Sequence, residues 1–257
     1  EPVSDEQAQR HIAAFDEQIA CVQALLELRR RGLGGLRALH NSKRRALSGL
    51  HPDWRVQLCK SGRVGRYGAA LLVAALTGCR PSELERGVKV WQTQDAATQE
   101  TEIHFEVAGA KVKREQGQPH RRLTYAAGDT HPLLSMIKAL LPGTAETPVV
   151  VQVASAMNFS AEVQRLAGCL WPSHPHTVTA YCLRHQWGAD AKRNGDADAV
   201  SRGLGHLSRK TQRVYGTASQ GKPAHRLKPL RIEAERPVKG TAPEVAPTDP
   251  DEPESAS

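Results

Sequence analysis

The stretch of sequence that decides the fold is VGRYGAALLVAALTGCRPSEL, residues 64–84. Its first part, Val64–Thr77, is strongly apolar over about four helical turns, which predicts a buried helix. Gly78 can adopt the left-handed conformation that ends a helix, and Pro81 suits the first position of the next helix. Arg80 therefore stands at a helix start, where the backbone N–H groups and the helix dipole favour an anion and a guanidinium adds a planar fork of donors.

Glu83 follows Arg80 by one helical turn and can hold the guanidinium in place. Taken alone, the pair is more typical of a surface ion pair at a helix cap than of a functional site. Its significance therefore depends on other segments of the chain.

The sequence around this stretch predicts helices on both sides of a small sheet. Ser4–Arg31 has helical spacing of apolar residues, with Ser4 and Gln7 placed to form a capping box. The apolar period changes to two between Val88 and Ala126, which indicates a small antiparallel sheet. Further helices are predicted at His131–Leu141, Ala154–Leu170, His176–Asn194, Ala197–Leu204 and Ser208–Ala218, with one more short strand indicated at Val149–Val153. The predicted fold class is α+β, mostly α with a three-stranded antiparallel β-sheet insert.

The chain divides into three predicted parts. Residues 1–60 form an N-terminal helical segment, and residues 61–235 form the main domain. Residues 236–257 are rich in proline, acids and small side chains, a composition that cannot bury enough apolar surface to fold, so we expect a disordered tail.

The charge of the chain points to a polyanionic partner. The formal net charge is +8, although residues 240–257 contain five acids and no base, so the remainder is more basic still. A positive potential attracts nucleic acids or anionic membranes. Because no apolar run approaches the eighteen residues of a membrane span, nucleic acid is the favoured partner and no membrane contact is expected.

The cysteines give no sign of a metal site or a disulfide framework. The five cysteines are scattered singly, without a CxxC pair, and the His174–His176 pair has no second ligand pair at suitable spacing. We therefore expect no metal, no cofactor and a cytoplasmic location, in a reducing compartment.

Three further segments carry side chains suited to phosphate chemistry. Tyr181 and Arg184 are three residues apart on a predicted helix, so they share a face. Leu204-Gly205-His206 forms a tight turn, and Tyr215 follows His206 by nine residues. Each has a plain alternative when taken singly: a core tyrosine, a surface cation, a structural histidine and a packing tyrosine.

Five elements, taken in order, resemble the tyrosine recombinase (phage integrase) family over roughly Val64–Ala218. They are TGCRPSEL at 77–84, a β-hairpin with Lys111, YCLRH at 181–185, LGH at 204–206 and Tyr215. Each alone is a weak signal, but five in order with the family's spacing before the tyrosine are hard to obtain by chance. The resemblance implies the catalytic-domain fold of that family.

The resemblance also implies a mechanism and a role for each residue. Tyr215 would attack a DNA phosphate and form a 3′-phosphotyrosyl link, while Arg80 and Arg184 clamp the phosphate oxygens. His206 would donate a further hydrogen bond, and Lys111 would protonate the leaving 5′-oxygen, with Lys113 as the alternative. Tyr181 stands where the family has a histidine; a phenol can hydrogen-bond a phosphate but is a poor proton acceptor at neutral pH. Neither ATP nor a metal is needed, because the new link conserves the bond energy.

Basic residues surround the proposed nucleophile. Residues 202–231 include eight lysines and arginines and no acid. We expect phosphate contacts that fix the protein on the duplex without reading its sequence. The candidate DNA-binding residues are Arg202, Arg209, Lys210, Arg213 and Lys113.

The predicted function is that of a site-specific recombinase or integrase on double-stranded DNA, acting as a homo-tetramer on paired sites and associated with the nucleoid. Alternatives are a type IB topoisomerase, which uses the same kind of nucleophile, and a catalytically weakened DNA-binding accessory protein. The short spacing from His206 to Tyr215 favours the recombinase. About sixty residues precede the matching region, which is short for the family's core-binding domain, so we expect residues 1–60 to be part of such a domain or a linker.

Overall fold

The structure is a computed structural model that describes residues 5–31, 42–95, 98–113, 116–142, 147–193, 197–221 and 227–239. The chain separates into two compact units, Glu1–His40 and Asn41–Ser257. The contact pattern therefore places the division near residue 40, where the sequence placed it at residue 60.

The first unit contains one long helix, α1 (Asp5–Arg31). Six of its large apolar side chains, Ile12, Phe15, Ile19, Val22, Leu25 and Leu26, are exposed. The helix expected here is present, while the capping box depends on Ser4, which lies outside the described residues.

The second unit contains eight α-helices in its described part. They are α2 (Lys43–Leu47), α3 (Trp54–Gly62), α4 (Gly68–Thr77), α5 (Pro81–Arg86), α6 (Pro132–Lys138), α7 (Ala156–Leu170), α8 (Ala180–Arg193) and α9 (Ala197–Gly203). Helix α4 is the buried helix predicted from the sequence, but it begins at Gly68 because the segment before it is at the surface, with Val64 98% exposed.

The sheet has five antiparallel strands in the order β4-β1-β2-β3-β5. Their bounds are β1 (Val88–Gln94), β2 (Thr101–Ala108), β3 (His120–Ala126), β4 (Val149–Val151) and β5 (Arg231–Ala234). The prediction of three strands was therefore wrong in number. Strand β4 lies within the short strand indicated at Val149–Val153, but three residues are too few to show that it joins this sheet. Strand β5, Arg-Ile-Glu-Ala, has one strongly apolar residue, Ile232, and too little alternation to be identified as a strand.

The segment before the proposed nucleophile is also not the expected α-helix. Residues Arg209–Val214 form a 3₁₀ helix, Tyr215 lies just beyond it, and a second 3₁₀ turn spans Ala218–Gln220. The β-branched Thr211 and Val214 and the nearby Gly216 all have low α-helical propensity, which is consistent with this difference.

Helices α2 and α3 belong to the same unit as the sheet. Trp54 on α3 is fully buried, and its indole N–H donates to Gln186 on α8 at 3.1 Å. Arg55 forms a buried ion pair with Asp190, also on α8. These contacts explain why the division between units falls before α2.

The first residues of the predicted tail are packed. Val238 is buried, and the backbone N–H of Lys239 donates to the carbonyl of Leu207 at 2.8 Å. The rest of the predicted tail, residues 240–257, lies outside the described residues.

The turn after α4 is fixed by close packing against α8. Gly78 has a left-handed backbone with φ of 60°. A Cβ at this position would lie 3.0 Å from Cβ and Cγ of Trp187, so a larger residue has neither the conformation nor the space it needs. The turn directs the chain so that Arg80 begins helix α5 beside α8.

Candidate active site

Arg80 is held at the start of α5 by Glu83. The backbone N–H of Arg80 donates to Glu83 Oε2 at 2.8 Å, and Arg80 Nη1 donates to Oε1 at 2.5 Å. The role predicted for Glu83 is confirmed by these contacts. Arg80 remains about a tenth exposed, so its guanidinium is accessible at the edge of the core.

Glu83 also binds a second arginine that the sequence analysis did not identify. Arg121 on β3 is almost fully buried and donates from Nη2 to Glu83 Oε2 at 2.7 Å. Burial alone would raise the pKa of Glu83, but the charges of Arg121, Arg184 and Arg80 outweigh it and lower that pKa. The carboxylate is therefore ionised and ties the sheet to the start of α5.

Arg184 joins the two turns that flank the site. It is fully buried on α8 and donates to the carbonyl of Gly78 at 2.7 Å and to the carbonyl of Leu204. Its Nη2 also lies 3.3 Å from Nε2 of His206. The side chain thus fixes the Arg80 turn and the His206 turn relative to each other.

The environment of His206 keeps its imidazole neutral. Burial, followed by the charges of Arg184, Arg80 and Arg121, lowers the pKa of His206 to about 3. Because a guanidinium can only donate, Nε2 accepts from Arg184 and the ring proton belongs on Nδ1. Nδ1 is buried and has no hydrogen-bond partner among the described residues.

Tyr215 lies beside Arg80, Arg184 and His206. Its ring centroid is 5.1 Å from that of His206, and the Arg184 guanidinium carbon is 4.9 Å from the Tyr215 ring centroid. Burial would raise the pKa of Tyr215, but the charges and hydrogen bonds of Arg184 and Arg80 outweigh it and lower that pKa. The surroundings of Tyr215 therefore favour the ionised form of its phenol.

A second histidine also packs against the Tyr215 ring. His185 lies with its ring centroid 5.0 Å from that of Tyr215, and its Nδ1 is buried without a hydrogen-bond partner in the described structure. Burial and then the charge of Arg184 lower the pKa of His185 to about 4. In the sequence, His185 directly follows Arg184 in the segment YCLRH, and this position is the signal that could have identified it as a site residue.

Tyr181 lies at the mouth of this cluster. Its side chain is 36% exposed and is close enough to Arg80 to affect the pKa of that guanidinium. A group placed there can contact a phosphate bound by Arg80.

The two candidate lysines, Lys111 and Lys113, are exposed in the loop between β2 and β3. The base of this hairpin is anchored, since Arg86 donates to the carbonyl of Gly109 at 2.5 Å.

The other end of the hairpin is anchored beside the cluster. The backbone N–H of Gln118 donates to the carbonyl of Gly205 at 3.2 Å, directly before His206. The loop therefore projects from a point adjacent to the cluster.

The predicted DNA-binding residues lie at the surface, but their charges are not equally available. Lys210 and Arg213 are exposed, and Arg202 is partly exposed. Arg209 forms a two-point ion pair with Asp198, at 2.6 and 2.7 Å. Asp198 lies before the acid-free stretch identified in the sequence, so the basic surface is partly neutralised at Arg209.

No group of three His, Cys, Asp or Glu side chains in the described part of the chain is arranged to hold a metal ion, and its cysteines are free thiols. Among the helices described, none is both long and apolar enough to cross a membrane.

Comparison with known proteins gives matches of structure only. No family model and no curated protein sequence matches this chain. A crystal structure of XerA recombinase matches with 20% identity over 71% of this chain and 61% of that chain, at a TM-score of 0.44.

Two structures of XerH site-specific recombinase, bound to difH substrates in post-cleavage and pre-cleavage complexes, also match. Their identities are 18% and 16%, each covers 65% of this chain, and their TM-scores are 0.42. The chain spans about half to three fifths of the length of these proteins.

Proposed function

We propose that this chain is a site-specific recombinase that cleaves and rejoins duplex DNA through a 3′-phosphotyrosyl link to Tyr215. One observation carries the proposal: a phenol with a lowered pKa lies against two arginines and a neutral histidine in one buried cluster. These side chains come from four separate segments of the sequence. Such a cluster combines a nucleophile with donors for the charge that develops on a phosphate under attack.

The cleavage step follows from the chemistry of these groups. Tyr215 Oη attacks phosphorus, the bond from phosphorus to the 5′-oxygen breaks, and that oxygen leaves as a hydroxyl. Arg80 and Arg184 stabilise the non-bridging oxygens, and His206 Nδ1–H donates to one of them. Tyr181, beside Arg80, adds a hydrogen bond to the phosphate.

Two proton transfers complete the step. The acceptor we propose for the Tyr215 proton is His185, whose neutral ring packs against that of Tyr215, once bound DNA brings a ring nitrogen within hydrogen-bond reach of Tyr215 Oη. His206 Nε2 is engaged by Arg184. The leaving oxygen takes its proton from Lys111, or from Lys113 as the alternative, when bound DNA brings the scissile phosphate to the hairpin. A 5′-hydroxyl from another strand then reverses the reaction, since the phosphotyrosyl link retains the bond energy.

The substrate and the assembly are part of the same proposal. Duplex DNA lies along the basic surface that includes Arg202, Lys210, Arg213 and Lys113, with Arg209 available once its pair with Asp198 opens. Phosphate contacts of this kind hold DNA without reading bases. Four protomers on two paired sites would carry out the exchange, as the family resemblance implies.

Two alternatives are less well supported. The short spacing from His206 to Tyr215 resembles the recombinases more than the type IB topoisomerases. An accessory protein without activity has no need for a phenol whose pKa is lowered by two arginines.

A nicked suicide duplex tests the proposal. Since the target sequence is unknown, the duplex is first selected by binding from a random-sequence library, and a nick near the cleaved bond then lets the short 5′-hydroxyl strand diffuse away. We expect a covalent protein–DNA adduct on a denaturing gel from the wild-type chain and none from Tyr215→Phe. Tyr67→Phe is the matched control, since Tyr67 lies outside the cluster, and it should retain the adduct. An adduct that persists in Tyr215→Phe would sink the assignment, as would a wild-type chain that binds the duplex and forms none.

A further inference from the structure

The main chain around Tyr215 has little regular structure of its own. The 3₁₀ helix ends at Val214, and the next turn begins at Ala218. Val214, next to the nucleophile, is 67% exposed. Contacts from other parts of the chain must therefore fix where the phenol points.

Two cationic side chains from distant segments bind the backbone of this stretch. Arg44 on α2 donates to the carbonyl of Arg213 and, at 3.1 Å, to that of Tyr215. Lys192 near the end of α8 donates to the carbonyl of Tyr215 at 3.1 Å and to that of Gly216 at 2.7 Å. The carbonyl of Tyr215 thus accepts hydrogen bonds from both Arg44 and Lys192.

The same stretch lies flat on α8. A Cβ on Gly216 would be 2.6 Å from the carbonyl oxygen of His185 and 2.9 Å from Cβ of Ala189. A Cβ on Gly188 would lie 3.4 Å from Cβ of Tyr215. This close approach brings the carbonyls within reach of Lys192.

The backbone of Arg44 is tied to the stretch as well. Gln220 Nε2 donates to the carbonyl of Arg44 at 2.8 Å, and Gln186 Nε2 on α8 donates to the carbonyl of Gln220 at 3.0 Å. Helix α2, the tyrosine stretch and α8 therefore form one connected network.

We propose that Arg44 and Lys192 are positioning residues that hold Tyr215 against Arg80 and Arg184 of its own chain. The consequence for DNA cleavage rests on the proposed function. The contacts of Arg44 and Lys192 with the backbone around Tyr215, called the clamp below, are present in the unbound protein. Charge-assisted hydrogen bonds are about twice as strong as neutral ones, which suits the task of fixing an irregular backbone. Burial and the nearby charge of Arg44 lower the pKa of Lys192, so two like charges are held together at an electrostatic cost that their shared carbonyl acceptors offset.

The clamp can be tested without DNA through the Tyr215 phenol. The absorbance titration of Tyr215 is obtained by subtracting the curve of the same chain carrying Tyr215→Phe. In the Arg44→Met, Lys192→Met chain we expect the pKa of Tyr215 to rise toward the ordinary value of about 10, because the phenol leaves the two arginines. The matched control is Arg45→Met, which removes an exposed arginine from the same helix and should leave the titration unchanged.

Hydrogen exchange separates positioning from general loss of structure. Amides of residues 213–221 should exchange faster in the double variant while those of α4 do not change, and Arg44→Lys with Lys192→Arg should restore both the exchange and the titration. If the double variant does not fold, the two single Met variants are measured in the same way. The clamp is overturned if the titration is unchanged, or if exchange rises equally across α4.

Mixed chains test cleavage by the protomer's own tyrosine. The Tyr215→Phe chain keeps the arginines but has no nucleophile, and the Arg80→Met chain keeps Tyr215 but lacks one arginine. When the two chains are mixed on the selected duplex, we expect no more adduct than either chain forms alone. Adduct restored in the mixture would mean that the tyrosine acts on a neighbour's arginines. A wild-type chain that makes no adduct defeats the proposed function, whereas the titration and exchange results judge the clamp independently.

Activity provides the last readout. With wild-type DNA affinity retained, the double Met variant should cleave on the order of 100-fold more slowly, the scale expected when a reacting group is misplaced by about 1 Å. Weaker DNA binding with an unchanged rate of cleavage at saturation would contradict a positioning role.

Discussion

Glu83 receives the guanidinium groups of Arg80 and Arg121 on its two carboxylate oxygens and has no exposed surface. A buried carboxylate is stable as an anion only when it is paired and hydrogen-bonded. The two arginines depend on Glu83 in the same way, because removing the carboxylate would leave each of them with a buried positive charge that is not paired. The position of Arg80 thus depends on a residue that never meets the substrate.

Replacing Glu83 should therefore affect folding before it affects chemistry. We expect Glu83→Gln to lower the free energy of unfolding by about 3 kcal/mol, since breaking one partner of a buried ion pair leaves an uncompensated charge. Urea unfolding followed by circular dichroism measures the change. Glu162→Gln is the control: its partner Arg165 is at the surface, so the loss should be small. Equal losses for the two variants would show that the Glu83 network is not structural.

The histidines beside Tyr215 should make stability depend on pH. The pKa values of His206 and His185, about 3 and about 4, lie below the ordinary value of about 6.5 that they regain on unfolding. The unfolded chain therefore binds protons that the folded chain does not, so their contribution is fully present above pH ~6.5 and declines toward pH ~3 to 4. At pH 5 the loss is up to about 2 kcal/mol for each histidine.

Unfolding at pH 7 and pH 5 measures this dependence. The His185→Gln, His206→Gln chain should lose much less stability between the two pH values than the wild type does. His51→Gln, at an exposed site, should retain the wild-type dependence. The assignment of two neutral histidines fails if the double variant and the wild type respond alike.

The sequence predicted part of this chemistry and missed the rest for physical reasons. The Arg80–Glu83 contact followed from helix-turn spacing, a local rule. Arg121 lies in the basic run HRR at the start of β3, where the alternation with Leu123 and Tyr125 places its side chain on the buried face, but nothing local shows that its partner is Glu83. His185 needed the position of Tyr215, which comes from a distant segment. The functional roles of all the candidate site residues stay predictions: Tyr215, Arg80, Arg184, His206, Lys111 or Lys113, Tyr181, and the DNA-binding residues.

At the scale of elements, the turn at Gly78 determines where the site forms. Its left-handed backbone ends α4, and Arg184 on α8 donates to its carbonyl. Trp187, one turn along α8, packs on the glycine and donates to the hydroxyl of Tyr125 at 3.3 Å. Helices α4 and α8 and strand β3 thus meet at one glycine.

Two glycine substitutions should have opposite effects. Gly78→Ala should destabilise the fold by more than about 1 kcal/mol, because alanine is strained at φ of 60° and its Cβ meets Trp187. Gly168→Ala should stabilise it by up to about 1 kcal/mol, since the residue lies within α7 and its new Cβ would have no neighbour within 4 Å. Thermal unfolding of the two variants gives the comparison, and a Gly78→Ala chain as stable as Gly168→Ala would contradict this account of the turn.

Elements with strong local patterns were predicted well, and elements made by long-range contacts were not. The apolar α4 and the alternation of β2 are apparent from the sequence alone. Strand β5 exists because it pairs with β3, more than a hundred residues earlier, and its own four residues carry little pattern. The stretch around Tyr215 likewise has distant partners that the sequence could not bring together: Arg44 donates to the carbonyls of Arg213 and Tyr215, and Lys192 donates to those of Tyr215 and Gly216.

At the scale of the whole molecule, the second unit brings side chains from four segments of the chain into one cluster. Helix α5 brings Arg80, α8 brings Arg184, the turn after α9 brings His206, and the stretch beyond brings Tyr215. Two exposed basic side chains, Lys210 and Arg213, lie in the segment between His206 and Tyr215. Under the proposed function, a phosphate polymer drawn to these charges would meet the Tyr215 phenol.

The most direct test of this account is the chemical identity of the linked residue. The protein is incubated with the nicked duplex, digested with a protease and a nuclease, and the peptides are examined by mass spectrometry. The account predicts a nucleotide attached through its 3′-phosphate to the peptide that contains Tyr215, at that tyrosine. A nucleotide on any other residue, or unmodified Tyr215 after demonstrated strand cleavage, would contradict it.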